Sequence, residues 1–300
     1  MTRKKKQHLD IYQSITNQII AAIEAGTGEA QMPWHRSGFT QTRPVNISSS
    51  KPYQGINILS LWAAAMSGEY NHGLWGTYRQ WQEAGAQVRK GEKSSFIVFY
   101  KQFENDETEN SENQSERRLF MARASRVFNV AQVDGYKLPD QPEPTENLVT
   151  RIASVEEFIG KTGAIIKASG EQACYNPVTD QISMPDQHRF FDTDTGSATE
   201  HYHSVLLHEL THWTGAKHRL DRTFGKRFGD HAYAIEELTA ELGAAFLCAD
   251  LGISASPRED HACYINNWLT AMKADSKAVF AAASAASKAV EYLTEPKRGI

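Results

Sequence analysis

Cysteine is scarce in this 300-residue chain. Cys174, Cys248 and Cys263 are odd in number, far apart and never in C-x-x-C spacing. That excludes a disulfide framework and points to a reducing, cytoplasmic setting. Long apolar runs are also missing. The alanine-rich stretch near the end is interrupted by Ser and Lys, so no membrane span and no membrane partner is expected. The opening "MTRKKKQHLD" has the charge of a signal peptide but not the apolar stretch that should follow. Acid is sparse in the first half. Residues 1–138 carry 17 Lys and Arg against 13 Asp and Glu, and six of those acids crowd into residues 104–116. Residues 139–300 carry 15 against 23. A basic half joined to an acidic half suggests that one part meets a polyanion and the other does not.

What is present is ordinary for a soluble protein: 40% hydrophobic and 23% charged residues. The length suggests two domains. Ile11, Ile15, Ile19 and Ile23 recur every four residues and predict an amphipathic helix. Residues 94–103 and 118–130 alternate like strands around the acidic segment. They predict a long β-hairpin whose tip, 104–116, has no apolar residue and should be disordered. Residues 138–147, with three prolines, read as an interdomain linker. Further on, "SVEEFIGKTGAIIKASG" predicts a helix and then a strand. "QACYNPVTDQISMP" predicts a hairpin, with Asn176-Pro177 and Thr179-Asp180 in its turn. Ser197 and Glu200 have capping-box spacing, so a helix should begin near Ala198 and end at Gly215. Another should run from Tyr233 to Gly252, and a last long helix or pair of helices from about 260 to 293.

The first of these two capped helices contains His208-Glu209-Leu210-Thr211-His212. Residues four apart share a helix face, so His208 and His212 can together hold one Zn²⁺. Glu209 is off that face and cannot be a third ligand beside them. It can act as general base toward a water that the metal makes acidic. For the third ligand Asp221 lies close downstream, but the run Glu236 to Glu241 is the better source. Ala234, Glu237, Glu241, Ala244, Ala245 and Cys248 form a stripe of small residues with two carboxylates, which lets the second helix approach the first. Glu237 is the expected ligand, with Glu241 supporting a ligand histidine; the reverse assignment is the competitor. Glu236 should be solvated. His201, His203 and His218 are expected to play no ligand role, and His231 or Tyr233 could stabilise an oxyanion.

In the basic half, rings alternate with cations. Tyr53, Trp75 and Tyr78 stand among Lys51, Arg89, Lys90 and Lys93, with Arg123 and Arg126 on the returning strand. Rings for stacking beside cations for phosphates are the parts of a single-stranded-DNA binder. Trp62, Trp75 and Trp81 also fall among helical apolar positions, where core packing is the competing role.

A resemblance covers both halves. "HELTHWTG", "HRLDR", "YAIEELTAELGAAFL" and the closing "HACYINNWLTAMKADSKAVFAAASAASKAVEYL" resemble the zincin-type metallopeptidase domain of the ArdC antirestriction family of conjugative plasmids. "PYQGINILSLW", "VRKGEKSSFIVFYK" and "RVFNVAQVDGY" resemble that family's N-terminal domain, which is also similar to the leading region of plasmid DNA primases. The acidic hairpin tip departs from the pattern. The resemblance implies a divalent metal, single-stranded DNA as partner, and protection of incoming DNA from host restriction. It does not establish a protein substrate, and two alternatives stay open: a cytoplasmic metallopeptidase acting on DNA-associated proteins, or a DNA-binding protein with a purely structural metal site. The expected fold is therefore α+β. Residues 1–138 should form a mixed α/β DNA-binding domain with a long hairpin. Residues 149–300 should form a helix-rich zincin-like domain holding one Zn²⁺ or similar ion, with Glu209 and Tyr233 catalytic.

Overall fold

The isoleucines at four-residue intervals form the inner face of α1 (Ile11–Gly26), with Ile15, Ile19 and Ile23 fully buried. The structure, a computed structural model, describes residues 10–26, 32, 34, 42–103, 119–138, 148–169, 171–225, 230–255 and 261–295. The acidic hairpin tip and nearly all of the expected linker lie outside the described residues.

After α1 come β1 (Val45–Asn46), α2 (Ile56–Ser67), β2 (Leu74–Gly76), α3 (Tyr78–Glu83), β3 (Gln87–Val88), β4 (Ser95–Phe103), β5 (Leu119–Asn129) and β6 (Val133–Asp134). The hairpin forms as its alternation predicts: β4 and β5 pair antiparallel from Ser95↔Val127 to Phe103↔Leu119. They complete a sheet of order β1-β2-β5-β4, while β3 and β6 pair separately. β4 is an edge strand, and an edge left open invites pairing with another chain. Here α2 covers it. The Asn57 side chain donates to the Val98 carbonyl (2.9 Å) and accepts from the Val98 N–H (2.7 Å), and the Ser60 hydroxyl donates to the Phe96 carbonyl.

The second half runs through α4 (Leu148–Thr162), β7 (Ile165–Ala168), β8 (Cys174–Asn176), β9 (Gln181–Met184), α5 (Ala198–Thr214), α6 (His231–Leu251), α7 (His261–Ala274) and α8 (Ala278–Thr294). The final helical stretch is thus a pair. β9 is the centre of a three-stranded sheet, parallel to β7 and antiparallel to β8. The β8–β9 turn uses Asp180 in the left-handed region, φ 53°, which Asp tolerates better than most residues.

The two segments share one hydrophobic core that runs from Ile15 to Leu293. Trp62 packs on Phe246 at 5.8 Å between ring centroids, Arg43 pairs with Asp250 at 2.8 Å, and the Ser287 hydroxyl accepts from the Gly55 N–H. Trp62, Trp75 and Trp81 are all core residues. Trp75 lies on β2 rather than on a helix.

Candidate functional site

α5 begins where its sequence directs. Ser197 accepts from the Glu200 N–H and Glu200 accepts from the Ser197 N–H, which satisfies two of the helix's otherwise unpartnered donors. It stops at Gly215, which is not a left-handed cap; glycine is required there for packing. The φ there is −77°, and a Cβ would sit 2.7 Å from the Phe224 ring. α6 crosses α5 at Gly243, where a Cβ would lie 2.5 Å from the Thr211 methyl group. Only glycine permits that approach, and it brings the carboxylates of α6 against the histidines of α5. α6 ends at Gly252 in the left-handed conformation, φ 68°.

At the crossing three side chains converge. The Nε2 atoms of His208 and His212 lie 3.1 Å apart. Glu237 places Oε2 3.5 Å from the first and Oε1 3.5 Å from the second. All three residues are buried, and their donor atoms lie within 4.8 Å of one another. Two imidazole nitrogens and a carboxylate pointed at one spot are the donor set of a hydrolytic divalent-metal site, so the residues fit the ion that the motif implies. Glu241 faces the other side of His208, with Oε2 3.6 Å from Nδ1 and Oε1 accepting from the Trp34 indole N–H at 3.1 Å.

Glu236 corrects an expectation. It is buried rather than solvated, with Oε1 3.0 Å from His212 Nδ1. Arg222 donates to it twice, Nε to Oε2 at 3.0 Å and Nη2 to Oε1 at 2.8 Å. A carboxylate on the free ring nitrogen fixes tautomer and orientation. The sequence offers no sign of this pair: Arg222 and Glu236 are brought together only by the turn after α5.

Glu209 is buried, and its Oε2 accepts from the Tyr175 N–H of β8 at 2.7 Å. The Tyr175 hydroxyl donates to Asp180 (2.9 Å), which Arg219 also holds, so the strand that grips Glu209 is itself anchored to the end of α5. Tyr233 reaches the same cavity, with its hydroxyl 3.1 Å from that of Tyr264. The cavity, about 1020 Å³, is bounded by Tyr175, Phe190, His201, Glu209, Tyr233 and Tyr264 among others. Burial, the Tyr264 hydroxyl and the Glu237 charge hold the Tyr233 phenol far above its ordinary pKa, so it stays a neutral donor. His231 and Asp221 are exposed and take no part in the cluster. His201 and His203 bond locally to Thr193 and Thr199, and His218 Nε2 lies 3.4 Å from Asp180 Oδ2.

Burial disfavours charge on His212, but hydrogen bonds to Glu236 and Glu237 outweigh it and raise its pKa to about 10. Burial likewise opposes the Glu237 charge, and the two histidines overcome it and hold this carboxyl well below the usual range. A metal ligand must shed its proton. Metal affinity should therefore rise about tenfold per pH unit between about pH 7 and 9, which competition with a chromogenic chelator will measure. An affinity flat over that range would contradict the pairing. In metal-free protein the same pairing stabilises the fold fully below about pH 6.5, the ordinary value for this group, and is lost as pH rises toward 10.

The residues expected to touch DNA divide by exposure. Lys51, Lys90, Lys93, Arg123 and Arg126 are exposed, and Tyr78 is 44% exposed. Arg89 is half-exposed and held by Glu92 at 2.8 Å and Asp134 at 3.6 Å, which offsets its charge. Tyr53 and Trp75 are corrections. Both are buried, Trp75 edge-on against Tyr70 and Tyr53 with its hydroxyl bonded to Asn46, so neither ring offers a face for stacking. Aromatic spacing alone does not distinguish a ring that leaves the core from one inside it.

The fold and the convergent site define the class: residues 153–285 match the family of zincin-like metallopeptidases. Residues 9–128 match the N-terminal domain of the anti-restriction factor ArdC. The antirestriction ArdC protein of plasmid R388 is similar over nearly its whole length. Its metal-free crystal structure is 37% identical, with 96% of this chain and 97% of that one covered and a TM-score of 0.75. Its Mn(II)-bound structure is 36% identical, with 97% and 99% covered and a TM-score of 0.76. The chain belongs to the ArdC family of antirestriction proteins. The protein y4eC of Sinorhizobium fredii is 48% identical over 289 residues, covering 95% of this chain and 91% of that one. DNA primase TraC of Escherichia coli is 34% identical over 301 residues, which are 94% of this chain but only 27% of TraC.

Proposed function

We propose that this protein binds single-stranded DNA, protects incoming conjugative DNA from restriction, and carries one Zn²⁺ or similar divalent ion in a peptidase-type site. The observation that carries the site is the convergence of His208, His212 and Glu237 beside a cavity that Glu209 and Tyr233 also line. A purely structural ion would need neither the cavity nor the carboxylate facing it. The bound ion would supply a Lewis acid that polarises a carbonyl and acidifies water. Glu209, held by the Tyr175 N–H, takes a proton from the attacking water and returns it to the leaving amine. Tyr233, kept neutral, donates a hydrogen bond to the developing oxyanion. Glu236 and Arg222 keep His212 in register. Support for the DNA activity comes from the family and from the exposed cations of the first half. Because the two segments share a core, the whole chain is the proper reagent. The test is a titration of full-length protein with single-stranded and duplex DNA over a range of salt, beside a restriction-protection assay. Wild type should prefer the single strand and lose affinity as salt rises, and Glu209→Gln should bind DNA unchanged. Equal binding to both forms of DNA, or none, would reject the reading.

A further inference from the structure

Trp75 and Tyr53 are inside the core, and of the rings expected to touch DNA Tyr78 alone is exposed, so a single-strand binder of this fold has use for a further ring. β4 presents one. Ile97 and Val98 are buried, 1% and 3% exposed, yet the next residue, Phe99, is 52% exposed. Among the described side chains of β4, Phe99 is the exposed one. Phe99 is not loose, because the Val98 N–H and carbonyl are both bound to Asn57. With residue 98 pointing its backbone groups outward, residue 99 points its own toward β5, where it stands directly opposite Arg123. In such an antiparallel pair the side chains rise from the same face about 5 Å apart. Arg123 is exposed. On the other face Arg126, also exposed, lies over the Phe96 ring at 5.0 Å.

A half-bare phenyl ring on a braced strand adds little to stability, and a guanidinium beside it draws a polyanion. A flat ring and a cation side by side match the two parts of one nucleotide, base and phosphate. We propose that Phe99 is a stacking platform for a nucleobase and that Arg123 contacts the adjoining phosphate, an inference that rests on the single-strand reading above. The charge on Arg123 favours this occupant over a second copy of the chain or an apolar peptide.

The test uses full-length protein, an oligothymidine and an abasic oligonucleotide of the same length, read by fluorescence anisotropy. Phe99→Ala should weaken oligothymidine binding by about 5- to 150-fold and leave both the abasic affinity and the salt slope unchanged. Arg123→Ala should weaken binding to both and lower the slope by about 0.7. Phe99→Trp should keep the affinity and show indole emission quenched on binding. Wild-type affinity in Phe99→Ala, or an equal loss on both oligonucleotides, would overturn the proposal, as would self-association that disappears with the ring. If wild type ignores both oligonucleotides, the single-strand reading fails and takes the platform with it. If wild type binds and Phe99→Ala binds equally, only the platform fails.

Discussion

Glu209→Gln is expected to keep its metal and lose peptide hydrolysis by about 10²- to 10⁴-fold, the usual contribution of a positioned general base. The substitution preserves shape. The amide oxygen can still accept the Tyr175 N–H that holds Glu209 Oε2 at 2.7 Å, so β8 and the cavity stay in place. What disappears is a basic oxygen able to take a proton. His208, His212 and Glu237 are untouched, and elemental analysis should show metal content equal to wild type. Cleavage of a labelled casein by the metal-loaded variant and wild type makes the comparison. Full activity in the variant would remove Glu209 from the chemistry. A wild type that cleaves nothing while protecting DNA would make shielding the mechanism.

Glu237→Ala is expected to abolish metal retention, whereas Glu241→Ala and Glu236→Ala should each cost about 10- to 100-fold in affinity. The ranking follows from which ring nitrogen each carboxylate faces. Glu237 faces the Nε2 atoms of both histidines. Glu241 faces Nδ1 of His208 at 3.6 Å, and Glu236 faces Nδ1 of His212 at 3.0 Å. A lost ligand removes a bond to the ion; a lost supporting carboxylate leaves the ligand in place and releases its orientation. Metal competition against a chelator of known strength separates the three. If Glu241→Ala empties the site while Glu237→Ala retains the ion, the ligand assignment is reversed.

How much of this was legible in the sequence depends on the range of the interaction. The capping box at Ser197 and Glu200, the isoleucine spacing of α1 and the β4–β5 alternation are local signals, and each element formed where its pattern placed it. The histidine pair is local too, because helix periodicity alone puts residues 208 and 212 on one face. Glu237 was within reach, since the small-residue stripe on α6 implies a close helix neighbour. Gly243, the residue at the tightest approach, belongs to the same helix. Glu236, Arg222 and Trp34 were not legible. Their partners lie 24, 14 and 207 positions away, and no periodicity links a loop arginine or an isolated tryptophan to a carboxylate on another helix. The basic half failed differently. Tyr53 and Trp75 have the composition of a stacking surface but sit in the core, while Phe99 shares a strand face with buried Ile97 and is nonetheless exposed, which alternation alone does not reveal.

The most direct measurement is an anomalous-scattering map from crystals of the full-length protein grown with Mn²⁺ or Zn²⁺. One peak per chain is expected at the crossing of α5 and α6. With Zn²⁺ it should lie about 2.0–2.2 Å from Nε2 of His208, Nε2 of His212 and a carboxylate oxygen of Glu237. A peak held by Glu241 or Glu236 in place of Glu237, or no peak at the crossing in metal-saturated crystals, would contradict this expectation.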